Sequence, residues 1–308
     1  PCPLPRLSLL RPLPPAPLFR RKNLRNDAMT KASRTSKWSW LFLGFGFFFL
    51  YAPMLSLIVY SFNESRLVTV WSGFSTKWYG ELMRDDQMLG AAWVSLQIAF
   101  MTACASVVLG TMAAMVMTRM RSFRGKTLFS GMITAPLVMP EVITGLSLLL
   151  LFVSLSTWTG LDFARGMTTI WVAHVTLCMA FVTVVISSRL AELDRSLEEA
   201  AMDLGANRIK VFFVITLPII APALVSGWLL AFTLSLDDLV LASFVSGPSS
   251  TTLPMQVFSS ARMGVSPKIN ALATILIVGV STIGVIGWYF MERAERRRQA
   301  EMQAAAKQ

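Results

Sequence analysis

Two adjacent carboxylates, Asp237 and Asp238, interrupt the otherwise largely apolar run LLAFTLSLDDLVLASFV. One carboxylate at membrane depth costs about 2.5–3.5 kcal/mol on insertion scales, so two in a row demand a reason. One reason is chemical: attraction of a cationic substrate along a path through the membrane. The other is structural: a pair hydrogen-bonded to hydroxyls such as Thr233 or Ser235, or lying near the outer interface. Successive residues on a helix point about 100° apart, so the two cannot both face one path squarely. A third acid, Glu141, directly follows Pro140. It either joins the same path or stabilises the freed N–H groups of a helix that restarts after the proline. His174 is the only histidine and lies in an apolar run. A lone histidine there is a hydrogen-bonded packing residue or a path-lining one. No nucleophile–base pair stands out, so no catalytic residue is assigned and no enzyme is expected. The three cysteines, Cys2, Cys104 and Cys178, fit no metal or redox spacing, and no metal ligands are assigned. Gly125-Lys126-Thr127 ends like a phosphate-binding loop, but Met120 stands where that loop needs glycine. No cofactor of the chain's own is expected.

These residues must be positioned by membrane spans. The chain has 308 residues, 54% of them hydrophobic and 15% charged, with a mean hydropathy of +0.58. That composition is too apolar for a soluble domain and points to an all-α integral membrane protein. A net charge of +11 would suggest nucleic acid in a soluble protein. Here much of the excess sits at the ends and in short loops, as the positive-inside rule expects, and no nucleic-acid partner is assigned.

Residues 1–37 are rich in Pro, Arg and Leu without a period, and are expected to be disordered. Residues 1–28 are expected to be a non-native extension, with Met29 leading through a short basic segment into the first span. Six spans are expected within a permease domain over 38–291, about 38–62, 89–118, 128–155, 169–187, 219–245 and 269–290. Pro136 and Pro140 mark a kink or break in the third. The outer segments are 63–88, 156–168 and 246–266. The turn 119–126 carries four basic residues and no acid. The tail 292–308 is charged, with helical propensity. Six spans put both termini on one side, and the basic segments make that side cytoplasmic.

The loop 188–218 is the longest polar interruption after the N-terminus. Leu190, Leu193, Leu197, Ala201 and Leu204 recur at steps of three and four, one face of a helix. Gly205 stands where a helix ends in a left-handed residue. A second short helix, about 208–216, is expected to run up to Pro218 and be broken by it. Two such helices on a membrane protein make a knob that enters a groove on a soluble partner.

Glu199-Ala200-Ala201, three residues, Gly205, nine residues, then Ile215-x-Leu217-Pro218 resembles the EAA loop of binding-protein-dependent ABC importer permeases. Within that family, YAPMLSLIVYSFN, ITAPLVMPEVITGLSLLLLF and the segment around Asp237-Asp238 are similar to the polyamine branch, putrescine importers in particular. Glu141 stands where the resemblance implies Asp, so the charge is kept.

The resemblance implies a type I ABC importer permease fold in a bacterial inner membrane. It also implies a heterodimer with a paralogous permease subunit, an ABC ATPase dimer that binds the ATP, and a periplasmic polyamine-binding protein. Glu199, Ala200, Ala201, Gly205, Ile215, Leu217 and Pro218 then take the ATPase-coupling role. Asp237, Asp238, Glu141 and His174 are the candidates for the substrate path. A small, flexible, doubly positive diamine fits a path with a few acids. Two alternatives stand beside it: an importer of the same kind for another small cargo, and an ATPase-independent secondary transporter.

Overall fold

The computed structural model describes residues 37–305, except 68, 69, 121, 161–164, 263 and 265. The segment 1–36, expected to be disordered, lies outside the described residues. Six helices are long and apolar enough to cross a membrane, and among the described residues there is no strand, only an isolated bridge between Asn63 and Phe74.

Helix α1 (Lys37–Ser61) is apolar on every face. Up to Ser56 it belongs to a unit apart from residues 57–308, and the packing below is that of the second unit. There follow α2 (Lys77–Leu82), α3 (Asp86–Arg119), α4 (Lys126–Val138), α5 (Glu141–Thr159) and α6 (Met167–Glu192). After these come α7 (Arg195–Asp203), α8 (Arg208–Val211), a π turn (Phe212–Thr216) and α9 (Leu217–Asp237). The chain closes with α10 (Val240–Val245), α11 (Leu253–Arg262) and α12 (Pro267–Ala305).

The long helices α3, α6 and α9 form the centre. Ala103, Ala114, Cys178, Val182, Ile186, Leu190, Ile220 and Ala231 are buried together there. Lipid gives apolar faces no reason to associate, so close approach of backbones must supply the attraction. Two glycines allow it. A Cβ on Gly110 of α3 would lie 2.8 Å from Val182 of α6, and one on Gly227 of α9 would lie 3.3 Å from the same side chain. Val182 is thus gripped between two helices. A second cluster joins α3, α5, α6 and α10 through Ile98, Phe152, Ile170, Ala173, Leu241, Ala242 and Val245.

One end of the bundle gathers the ends of α3 and α6 with the loop 193–216. Arg195 donates to the Thr118 carbonyl at 2.6 Å. At the other end Trp78 and Leu82 of α2 pack with Leu253, Ala271 and Leu272, and Lys268 pairs with Asp85 at 3.4 Å.

The break expected in the third span falls at Met139-Pro140, between α4 and α5, while Pro136 lies inside α4. Three expectations about helix ends change. The fifth span ends at Asp237, and α10 is a separate piece. The stretch 190–204 is not one helix. It divides at Leu193-Asp194, where the Asp194 carboxylate accepts from the Ser196 N–H at 2.9 Å and starts α7. Pro218 does not break the second loop helix. It occupies the first turn of α9, directly after the π turn, where its missing N–H is no loss.

Candidate functional site

Two groups of polar residues occupy opposite parts of the second unit. The first surrounds the two helix breaks. Pro140 removes a helical donor and fixes the chain in an extended turn, and α5 restarts at Glu141. The restarting amides of Ile143 and Thr144 bond the Pro140 carbonyl at 3.0 and 3.2 Å. Among the described residues the Glu141 carboxylate makes no hydrogen bond or ion pair, so it does not cap this helix by contact.

The break after α9 is built differently. Asp238 takes the first amides of α10: Oδ2 accepts from the Ala242 N–H at 2.8 Å and Oδ1 from the Leu241 N–H at 3.3 Å. The same Oδ2 lies 3.1 Å from His174 Nε2, and His174 Nδ1 lies 2.7 Å from Ser235 Oγ. The His174 and Asp238 side chains are 2% and 6% exposed. A single polar network therefore ties α6 to the end of α9 and the start of α10. Thr233 is not part of it, since its hydroxyl donates to the Leu229 and Leu230 carbonyls.

Between the breaks lies a pocket of about 370 Å³. Glu141 comes from one break and Asp237 and Asp238 from the other; Leu177, Phe181 and Leu234 supply apolar wall. Glu141 and Asp237 are exposed to it. Asp237, unlike its neighbour, makes no side-chain hydrogen bond to another described residue. Three of the four path candidates thus meet at one pocket. His174 does not line it and stands behind Asp238.

The second group is the loop 193–216. Helix α7 ends in a Schellman turn: the Ala206 N–H bonds the Ala201 carbonyl at 3.1 Å and the Gly205 N–H the Met202 carbonyl at 2.9 Å. Gly205 adopts φ +88°, open to glycine at little cost. Asn207 then caps α8 by accepting from the Lys210 N–H at 2.7 Å. Glu199, Ala200 and Gly205 are exposed, Ala201 and Ile215 half-buried. Leu204 is 90% and Ile209 69% exposed, so the knob presents apolar side chains outward.

Glu198, one residue before the motif, is the residue that sequence reasoning missed. Its Oε1 accepts from Arg119 Nε at 3.1 Å and from Thr216 Oγ1 at 3.0 Å, with the ion pair only 13% and 14% exposed. It fastens α7 to the end of α3 and to the π turn. The signal was present in the doubled acid before two alanines: on a helix, adjacent acids point different ways, so one of them faces inward. The lysine of the discarded phosphate-loop match serves locally, Lys126 donating to the Met120 carbonyl at 3.0 Å.

Residues 106–299 match the family described as binding-protein-dependent transport system inner membrane component. The chain belongs to that family. Across 270 residues it is 65% identical to the putrescine transport system permease protein PotI of Escherichia coli, covering 88% of this chain and 96% of that one. It is 42% identical over 245 residues to the spermidine/putrescine transport system permease protein PotC of the same species, covering 80% and 90%. A crystal structure of a bacterial ABC transporter that imports the acidic polysaccharide alginate superposes with a TM-score of 0.63 at 15% identity, covering 90% of this chain and 99% of that one. At that identity the likeness establishes the fold alone. The expected ABC importer permease fold, with its six membrane helices, is the observed one.

Proposed function

We propose that this family member is the permease subunit of an ATP-driven importer that carries putrescine or a related polyamine inward across a bacterial inner membrane. The observation that carries the cargo class is the pocket at the two helix breaks. Glu141 and Asp237 are exposed in it, with no side-chain hydrogen bond or ion pair to another described residue, inside a membrane-spanning bundle. Uncompensated acids at that depth belong on a route for cations rather than against lipid. Likeness to permeases named for putrescine and for spermidine/putrescine supports the same cargo.

The knob at 193–216 is suited to coupling. Glu199, Ala200, Ala201 and Gly205, with Ile215, Leu217 and Pro218 behind them, form the segment that docks on a separate ATPase dimer, which binds the ATP. Leu204 and Ile209 supply apolar contact there. Arg119, Arg124, Lys126, Arg195, Arg208 and Lys210 cluster at this end and make it cytoplasmic, with both termini on the same side. A paralogous permease completes the path, and a periplasmic polyamine-binding protein delivers the cargo to the opposite end. Closure of the ATPase dimer drives the spans outward-open, and hydrolysis returns them inward-open.

The test is ATPase activity of the assembled complex in nanodiscs, with binding protein and putrescine, spermidine or neither. Stimulation by putrescine is expected. Stimulation by spermidine alone would keep the mechanism and move the cargo. No stimulation by either, with intact basal activity, would overturn the polyamine reading. Failure to assemble with any ATPase would overturn the coupling role of the loop.

A further inference from the structure

We infer that Asp238 is a positioning residue, held with His174 and Ser235 as a strut behind the pocket, and that contact with the cation falls to Asp237 and Glu141. This rests on the transport reading above and divides its acids into two kinds. The carboxylate of Asp238 is already engaged: Oδ2 by His174 and the Ala242 N–H, Oδ1 by the Leu241 N–H. A cation would have to displace donors that start α10. Those amides cannot turn to water in a buried site, so the displacement would leave them unpaired.

The protons arrange themselves consistently around this role. A carboxylate only accepts, so His174 Nε2 carries the hydrogen toward Asp238. Its Nδ1 then accepts from the Ser235 hydroxyl, and every polar atom of the strut has a partner. The order serine–histidine–aspartate resembles a hydrolase triad. Ser235 is buried, however, two residues before the end of α9, and it does not line the pocket that its neighbours Leu234 and Asp237 face. What the strut does is fix the α9–α10 break against α6. Asp237, the residue immediately before Asp238, is thereby held at the pocket opposite Glu141.

Charge and hydrogen bonding can be separated at this position. Asparagine gives up the 3.3 Å bond from the Leu241 N–H, but with its oxygen in the Oδ2 place it still accepts from the Ala242 N–H and from His174 Nε2. Alanine keeps neither. The experiment measures uptake per assembled complex, using the full complex with its binding protein and radiolabelled putrescine, for Asp238→Asn, Asp238→Ala and Asp237→Asn. Expected is a loss of about tenfold or more for Asp238→Ala and for Asp237→Asn, and of less than about threefold for Asp238→Asn. Equal loss for Asp238→Asn and Asp238→Ala would make the charge itself the requirement and overturn the positioning role. No loss for Asp238→Ala would overturn it as well. If Asp238→Ala does not assemble, the order of the two asparagine variants decides: a greater loss for Asp238→Asn than for Asp237→Asn overturns the proposal. Absence of putrescine uptake by the unsubstituted complex is a separate failure, that of the cargo reading. The same variants are then compared by uptake of whichever polyamine stimulates the ATPase.

Discussion

The chain contains two pairs of adjacent acids that matter, Glu198-Glu199 in the loop and Asp237-Asp238 in the bundle, and they are built alike. In each, one acid is turned inward and bonded. Glu198 pairs with Arg119 and Thr216, and Asp238 with His174 and two amides. In each, the other acid is exposed and has no partner among the described residues: Glu199 toward the surface of the loop, Asp237 toward the pocket. The difference lies in what the inward acid secures. Glu198 answers a full positive charge and ties three segments together. Asp238 answers a histidine and helix amides, and secures a break in a single span. A doubled acid in a helical sequence thus signals a fastened residue beside a free one, not a doubled site.

The largest effect is expected from removing the presentation of the loop altogether. Gly205→Pro cannot reach φ +88° and deletes the N–H that bonds Met202. Transport should be abolished while membrane insertion, followed by protease protection, is unchanged. Gly205→Ala meets no atom within 4 Å, so its cost is backbone strain alone, about 1–2 kcal/mol, and measurable transport should survive.

Next comes the loop pair itself. Glu198→Ala strands Arg119 in a largely buried position and should lower stability by about 2–3 kcal/mol, read from thermal unfolding in detergent. Glu199→Ala should change stability by no more than about 0.5 kcal/mol yet reduce ATPase coupling. Equal destabilisation by the two would break the comparison. At the pocket, Glu141→Gln should reduce putrescine uptake about tenfold without affecting assembly, as expected of Asp237→Asn. Normal uptake by both variants would remove the cation path.

The smallest effect concerns Asp194. The Ser196 backbone N–H it accepts holds its carboxyl below the ordinary aspartate range. A lowered value in the folded state means the cap contributes fully above the ordinary range and is lost as pH falls through the folded-state value. Hydrogen exchange at the start of α7 should therefore quicken on acidification relative to Asp194→Asn, which caps without titrating.

The spans and the loop motif were legible because both rest on local pattern: long apolar runs and fixed spacing. The helix ends were not, because distant groups set them. Nothing in 219–245 shows that a carboxylate will be drawn toward a histidine on another helix, ending α9 at Asp237. At 190–204 the cap is local, but the helical period of the sequence runs across it and hid it: Leu190 is buried, while Leu197 and Leu204 are exposed. Pro218 was misread because the π turn lies before it. The Leu217 N–H bonds the Phe212 carbonyl five residues back, and the widened turn passes into α9 with the proline in its first turn. At the pocket, sequence identified the acids but not which of the pair was free. That depended on the partner side chain behind Asp238.

Helix α6 connects the two regions. It carries His174 near one end and Leu190 near the other, and Val182 stands between, gripped by Gly110 and Gly227. Eight residues separate Val182 from each of His174 and Leu190, about 12 Å of helix on either side. Ile170, Ala173, Cys178, Ile186 and Leu190 are buried along the same helix, so the acid pocket and the loop end are joined by one continuously packed rod rather than by a chain of separate contacts.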